Sequence, residues 1–367
     1  MSAGRRVLEV TSGIGPAYAS RLLADVGWDV VKVEPAEGDA LRTQPSRWGG
    51  AEGAAFEFAN AGKRSVTVDD SSLARLVEAA DLVFGDFRPS VLEANGLSAG
   101  AYEAWAPRSA VVSVSPFGLT GPRSAWAATE LTVQAASGLM FLTGEADQQP
   151  QQLPPYQAEV TGGLVASLAA LAAARLPRGS EPQRLDISSH EAMTAHTFQF
   201  TQPYAYYGEV GRREPWPKLA LRMVPTSDGH VYCAAGAIGS MRMDGIAQLI
   251  EEPRLTEDRF QTARGRADHW DEFLDLFVPP FSRRTAQEWF EAAEALHMTF
   301  ALVQSIDDLF TCPHLEARGF LQRVEPPGRE PVVHPLLPFR TTAPMPEARP
   351  APAAGQHTVE VLEEWLG

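Results

Sequence analysis

The chain has two cysteines among 367 residues, Cys233 and Cys312, far apart in sequence. That count and spacing exclude a disulfide framework and a clustered zinc site. Cationic residues are also in deficit, with 31 Lys and Arg against 46 Asp and Glu and a formal net charge of −15. Sequence-independent nucleic-acid binding needs Lys and Arg to neutralise phosphates, so that class drops out and an anionic ligand must be met locally. The Ala- and Leu-rich run at residues 164–174 is far shorter than the roughly 20 residues of a membrane span. It is followed by Arg175 and Arg178 and reads as core, so no membrane partner is expected. The opening MSAGRRVLEV has no long apolar h-region, which makes a reducing cytoplasm the expected location. No full GxGxxG and no internal repeat are present.

Hydrophobic content of 44% and charged content of 21% belong to a folded chain, and its length predicts two domains. Val7 to Val10, a Gly-bearing turn at residues 11–16, helical spacing to Val26 and then WDVVKV read as a βαβ unit. This predicts an α/β fold that opens a doubly wound parallel sheet in a first domain over residues 1–200. Glu34 comes too late after the second strand to make a dinucleotide fingerprint. Further strands are expected at residues 66–69, 81–84, 110–115 and 183–187, several of them running into polar, Gly- or Pro-bearing loops. Lys63, Arg64 and Arg88 cluster at such loops and are candidates for a phosphate-bearing ligand, ordinary solvated charge being the alternative. A crossing at residues 201–224 and a small α+β domain at 225–320 follow, and the Pro-rich tail at 321–367 has too much apolar content at its start to be a free linker. Tyr204, Tyr206, Tyr207, Trp216, Met223, Met241 and Met243 read either as an apolar pocket wall or as domain-interface core.

The most distinctive stretch is residues 153–175, LPPYQAEVTGGLVASLAALAAAR. Leu164, Leu168 and Leu171, separated by alanines, predict a buried helix, with Gly162 and Gly163 near its start. Glu159 stands at the mouth of that helix. A carboxylate there is either a partner of the helix dipole and free N–H groups or a nucleophile. His190 and His196 are six apart, off one helix face, so no metal pair is expected.

GPAYASRLLADVGWDVVKVEPAEGD, NAGKRSVTVD, DLVFGDFRPSVLEANGL, VSVSPFGLTGP, ASGLMFLTGE and GQHTVEVL occur in order along nearly the whole chain, with EDRFQTARGR and CPHLEARGF in the second domain. Together they resemble the family III CoA transferases, also called the CaiB/BaiF family. The resemblance implies a large Rossmann-like domain and a smaller one, with residues 321–367 as a return segment packing on the large domain, two chains interlinked like rings in a homodimer, and CoA or acyl-CoA as substrate with no tightly bound cofactor. It implies that Ser12, Gly13 and Ile14 approach the CoA, Lys63 and Arg64 its phosphates, and Asp86, Phe87 and Arg88 the loop beside its nucleotide. The family's catalytic Asp, in a segment like A-D-x-x-G-G, corresponds to Glu159. Its carboxylate would form a mixed anhydride and then an enzyme-bound CoA thioester while passing CoA to a carboxylic acid. Backbone N–H groups near Gly162 and Gly163 are candidates for holding the oxyanion.

Glu130 falls where many members carry a second acid. Thr129 precedes it, where the racemases of the family have His, so racemisation is disfavoured. Pro35, Ala36 and Ala94 replace frequent cations, and GDFRPS replaces the more usual ENFRPG. With the Asp-to-Glu change, these departures keep two alternatives beside an active transferase. One is a non-catalytic partner subunit of a heteromer, and the other a CoA-thioester isomerase or racemase.

Overall fold

The computed structural model describes residues 5–45, 53–98, 100, 104–105, 110–144, 147–176, 181, 183–213, 221–234, 243–326, 330–342 and 346–367. Six strands form one sheet: β1 (Arg6–Glu9), β2 (Asp29–Val33), β3 (Arg64–Val66), β4 (Leu82–Gly85), β5 (Ala110–Ser115) and β6 (Arg184–Ser188). Their order is β3-β2-β1-β4-β5-β6 and every pairing is parallel, with Leu8 level with Val31 on one side and Val83 on the other. Parallel strands covered on both faces read as unbroken apolar runs, and Val7, Leu8, Val83, Phe84, Val111 and Val112 are all fully buried.

The helices divide between the two faces. Leu8, Val31, Val66, Val83 and Val111 pack against α3 (Asp70–Ala79), α4 (Pro89–Ala94) and the C-terminal helix Thr358–Leu366. Residues one step along the same strands, Val7, Val30, Leu82, Phe84 and Val112, pack with α1 (Ile14–Asp25) and the long helix Gln157–Ala173. The strand order reverses between β1 and β4, and in an open sheet that reversal opens a crevice at the strands' carboxyl ends.

α2 (Ala54–Asn60) lies between β2 and β3; after β5 come α5 (Glu130–Ala136), α6 (Leu139–Leu142) and the long helix, α7. The expectation of buried leucines on α7 is overturned. Leu164, Leu168 and Leu171 are 48%, 60% and 38% exposed, whereas Gly162, Gly163, Ala166 and Ala170 are buried. Backbone approach explains the inversion. A Cβ on Gly163 would lie 2.6 Å from the Gly15 carbonyl oxygen of α1, and one on Gly162 would collide with Ser189, so only small residues can face inward. α8 (Ser189–Ala195) and α9 (Phe198–Tyr207) follow β6.

The described chain divides into two compact units, Met1–Gly144, Pro150–Gly211 and Ala317–Gly367 forming the first, and Glu145–Gln149 with Arg212–Glu316 the second. In the first, the return segment is tied down by backbone and side-chain hydrogen bonds. His357 N donates to the Ser65 oxygen at 2.9 Å, Thr67 N donates to Thr358 Oγ1 at 3.0 Å, and Trp365 Nε1 donates to Asp29 Oδ2 at 2.8 Å. The second unit has an antiparallel sheet of β7 (Leu221–Pro225), β8 (His230–Ala234) and β9 (Phe300–Leu302) over an aromatic core that includes Phe260, Phe273, Phe277, Phe281 and Trp289. No helix among the described residues is long and apolar enough to cross a membrane.

Candidate active site

The crevice at the switch point holds a cavity of about 200 Å³. Its walls are the loop after β1 (Ser12, Gly13, Ile14, Gly15), the loop after β4 (Asp86, Arg88), the end of β5 (Val114, Ser115) and the heads of α5 (Thr129, Glu130) and α7 (Ala158, Glu159). Seven of the ten residues singled out from sequence therefore meet here: Ser12, Gly13, Ile14, Asp86, Arg88, Glu130 and Glu159. Gly13 has a φ of 130°, a backbone conformation that side-chain-bearing residues rarely adopt, and this turns the chain from β1 into α1. Pro16 has no N–H, and α1 has no side-chain cap and no acid in its first turn. The N–H groups of Ile14 and Gly15 thus head a helix whose N-terminus favours negative charge.

Glu159 occupies the first turn of α7 and is half-buried. Glu130 fixes the backbone beneath it: Oε1 accepts from Ala158 N at 2.8 Å and Oε2 from Glu159 N at 3.3 Å. Gln134 Nε2 donates to the same Oε1 at 2.7 Å, and its Oε1 accepts from Leu153 N at 2.9 Å. The Glu130 carboxylate thus satisfies orphan N–H groups at the head of α7 while lining the cavity beside Glu159, where the sequence placed a second acid. The reading of Gly162 and Gly163 as oxyanion donors is also corrected. Both lie well inside α7, where the helix ladder takes their N–H groups, and both serve the close approach of α1 and Ser189.

Arg88 is the one cation among the described residues lining the cavity, and it is already paired. Its Nε lies 3.0 Å from both Asp86 carboxylate oxygens and its Nη2 2.7 Å from Oδ2. The departure GDFRPS therefore has a physical consequence: the acid that replaces Asn neutralises the arginine two residues on. Phe87 is buried in the core with an edge-on contact to Trp105, so the loop aims its neighbours, not Phe87, at the cavity.

The structure does not bring Lys63 or Arg64 to this cavity. Arg64 begins β3, at the amino edge of the sheet, where its guanidinium binds Asp29, Glu360 and Glu364. Lys63 is buried, with Nζ 2.6 Å from Glu9 Oε2, 2.8 Å from Ala17 O and 2.8 Å from Asn60 Oδ1. Lys32 completes the group, 2.6 Å from Glu9 and 2.7 Å from Asp39. Burial alone would raise the Glu9 carboxyl, but the two ammonium groups overcome it and hold Glu9 at about 2. Desolvation pulls Lys63 down to about 8 against the attraction of Glu9.

Sequence reading missed Ser115. It ends β5, is 2% exposed, lines the cavity, and its Oγ has no hydrogen-bond partner. A buried hydroxyl without a partner is uncommon and points to a ligand atom. The signal was its place as the last residue of AVVSVS, at a strand's carboxyl end.

Of the residues read as a possible acyl wall, Tyr204, Tyr206 and Tyr207 lie exposed on α9, Met223 is exposed on β7 and Met243 is core of the second unit. Trp216 and Met241 fall outside the described residues.

An open parallel sheet with a helix-borne carboxylate and uncapped helix N–H groups at its switch point describes an α/β protein suited to acyl chemistry. Residues 3–358 match the model of CoA-transferase family III, and the chain belongs to that family. It is 28% identical to a succinate–glutarate CoA-transferase of Agrobacterium fabrum, over 99% of this chain and 95% of that one. It is 27% identical to a succinyl-CoA–D-citramalate CoA-transferase of Chloroflexus aurantiacus, over 99% and 93%. A CaiB/BaiF family protein from Brucella suis has a similar structure, with a TM-score of 0.85 and 25% identity over 99% of this chain and 98% of that one.

Proposed function

We propose that this chain moves CoA from an acyl-CoA donor to a carboxylic acid, with Glu159 as nucleophile. The observation that carries the reading is the position of Glu159: first turn of α7, on the cavity at the sheet's switch point, its backbone N–H held by Glu130.

The carboxylate oxygen of Glu159 attacks the thioester carbonyl carbon, the C–S bond breaks and CoA leaves as thiolate. That thiolate attacks the Glu159 carbonyl carbon of the mixed anhydride, releasing the donor's carboxylate and leaving a glutamyl-CoA thioester. The acceptor carboxylate then attacks this thioester to form a new anhydride, and the thiolate returns to the acceptor's carbonyl carbon, which frees Glu159. No net proton is exchanged. Each tetrahedral oxyanion needs donors; the Ser115 hydroxyl and the Ile14 and Gly15 N–H groups are those the cavity offers.

Incubation with an acyl-CoA donor should add the mass of CoA, less water, to the peptide containing Glu159, and hydroxylamine should remove it. An unmodified peptide under turnover would sink the assignment.

A second reading is a non-catalytic subunit of a heteromer. The neutralised Arg88 favours it, as does the 26% identity to a relative whose name, succinyl-CoA:(R)-benzylsuccinate CoA-transferase subunit BbsE, marks it as a subunit. Racemase-like exchange has less support, because no histidine is among the described residues lining the cavity and Glu130 is held by α7.

A second copy of this chain is the partner we assign to the exposed apolar face of α7, where Leu164, Leu168 and Leu171 face outward, as in an interlinked homodimer. Sedimentation equilibrium at micromolar concentration is expected to give the mass of two chains; the mass of one chain would remove the second copy.

A further inference from the structure

Beside the catalytic cavity the first unit has a larger, half-open pocket of about 450 Å³, within the range of small-molecule sites. Ile14 lines both spaces. Along α7, Ala158 and Glu159 face the first and the next residue, Val160, the second. The remaining wall is Pro45, Ala54, Ala55, Phe58 and the turn Pro154–Tyr156, with Gln44 the only polar side chain besides the Tyr156 hydroxyl among the described lining residues. Ile14, Ala55, Phe58, Tyr156 and Val160 also pack as one apolar cluster. Tyr156 takes a φ of 68°, uncommon for a residue with a side chain, at the turn that carries the chain from Pro155 into α7. Strain of this kind collects at functional sites. Here the strained residue both walls the pocket and starts the helix that carries Glu159.

Resting on the transfer reading above, we infer that this pocket takes the acyl group and selects apolar monocarboxylic acyl chains over dicarboxylic ones. A thioester carbonyl at Glu159 has its acyl tail within reach of the Ile14 and Val160 walls. A second carboxylate in that tail would lose hydration without meeting a cation among the described lining residues, whereas each methylene gains by leaving water.

The test is calorimetric binding of butyryl-, hexanoyl-, octanoyl- and succinyl-CoA and of free CoA to full-length Glu159→Gln, which cannot react. Turnover of the same donors by the unaltered chain is measured separately. Affinity should rise about threefold per methylene, on the order of a hundredfold from butyryl- to octanoyl-CoA. Succinyl-CoA should bind about tenfold more weakly than butyryl-CoA. Ala55→Phe should bring octanoyl-CoA back to the affinity of butyryl-CoA and leave free CoA unchanged. Ala54→Phe, at the exposed rim, makes the same test if Ala55→Phe does not fold. Affinity independent of chain length, or succinyl-CoA binding best, overturns the inference even if transfer is confirmed. Chain-length-dependent binding without turnover supports the pocket and removes the transfer reading instead.

Discussion

Replacing Glu159 by glutamine is expected to lower CoA exchange by at least about 10⁴-fold, a loss typical of removing a covalent nucleophile. Both half-reactions pass through the same oxygen, so no parallel route survives the change. Glutamine has nearly the same shape, and losing one acid from the first turn of α7 should cost stability only about 0.5 kcal/mol. Unfolding midpoints close to the unaltered chain alongside abolished exchange would separate the nucleophile from the helix-dipole partner; exchange that persists would show that Glu159 only serves the helix. Glu159→Asp discriminates further. Glu130 pins the backbone at Ala158 and Glu159, so the shorter side chain withdraws its carboxylate by about 1 Å, and a misplacement of that size costs on the order of a hundredfold. A loss of that size means that the cavity is shaped around glutamate. A large gain with aspartate would instead mark a site that has lost its nucleophile.

The sheet was legible because its strands are apolar runs punctuated by Gly- and Pro-bearing turns. A strand buried on both faces is apolar except where buried charges pair. The cavity residues after β1 and β4 were legible for the same reason, since the carboxyl ends of strands on either side of the order reversal define the crevice. The leucines of α7 were misread because a helix apolar all round gives no single inward face by hydrophobicity. The usable signal was size, with Gly162, Ala166 and Ala170 recurring every fourth residue on the side where α1 and α8 approach. The bonds from Glu130 to the head of α7 were not legible, because only the fold brings that helix end to the acid. Strand direction keeps Lys63 and Arg64 from the cavity: in KRSVTVD the cations stand at the strand's amino end, whereas in GDFRPS the arginine follows a strand. A further signal went unread. Glu9 and Lys32 interrupt the apolar runs VLEV and VVKV and lie level with each other across β1 and β2, as a buried pair must.

That buried group supports the second large expectation: Lys63→Met should destabilise the first unit by about 3–5 kcal/mol. Glu9 and Asp39 balance Lys32 and Lys63, so removing one ammonium leaves an uncompensated negative charge in a fully buried site. Glu9 would keep Lys32, but Lys32 is shared with Asp39. The sign of the pH dependence follows from the two folded values. Glu9 is held at about 2, below its ordinary 4.5, so its contribution is fully present above about pH 4.5 and is lost as pH falls towards 2. That contribution is about 3 kcal/mol by the shift alone. Lys63 lies at about 8, below its ordinary 10.5, so between those values the unfolded chain holds the extra proton and folding gains as pH rises. Urea unfolding of both chains at pH 3, 5, 7 and 9.5 reads these terms. In Lys63→Met the alkaline gain should vanish and the acid loss should shrink, because a Glu9 with one ammonium partner is less depressed. Were Lys63 a ligand of CoA phosphate, the same substitution would leave unfolding unchanged and weaken CoA binding.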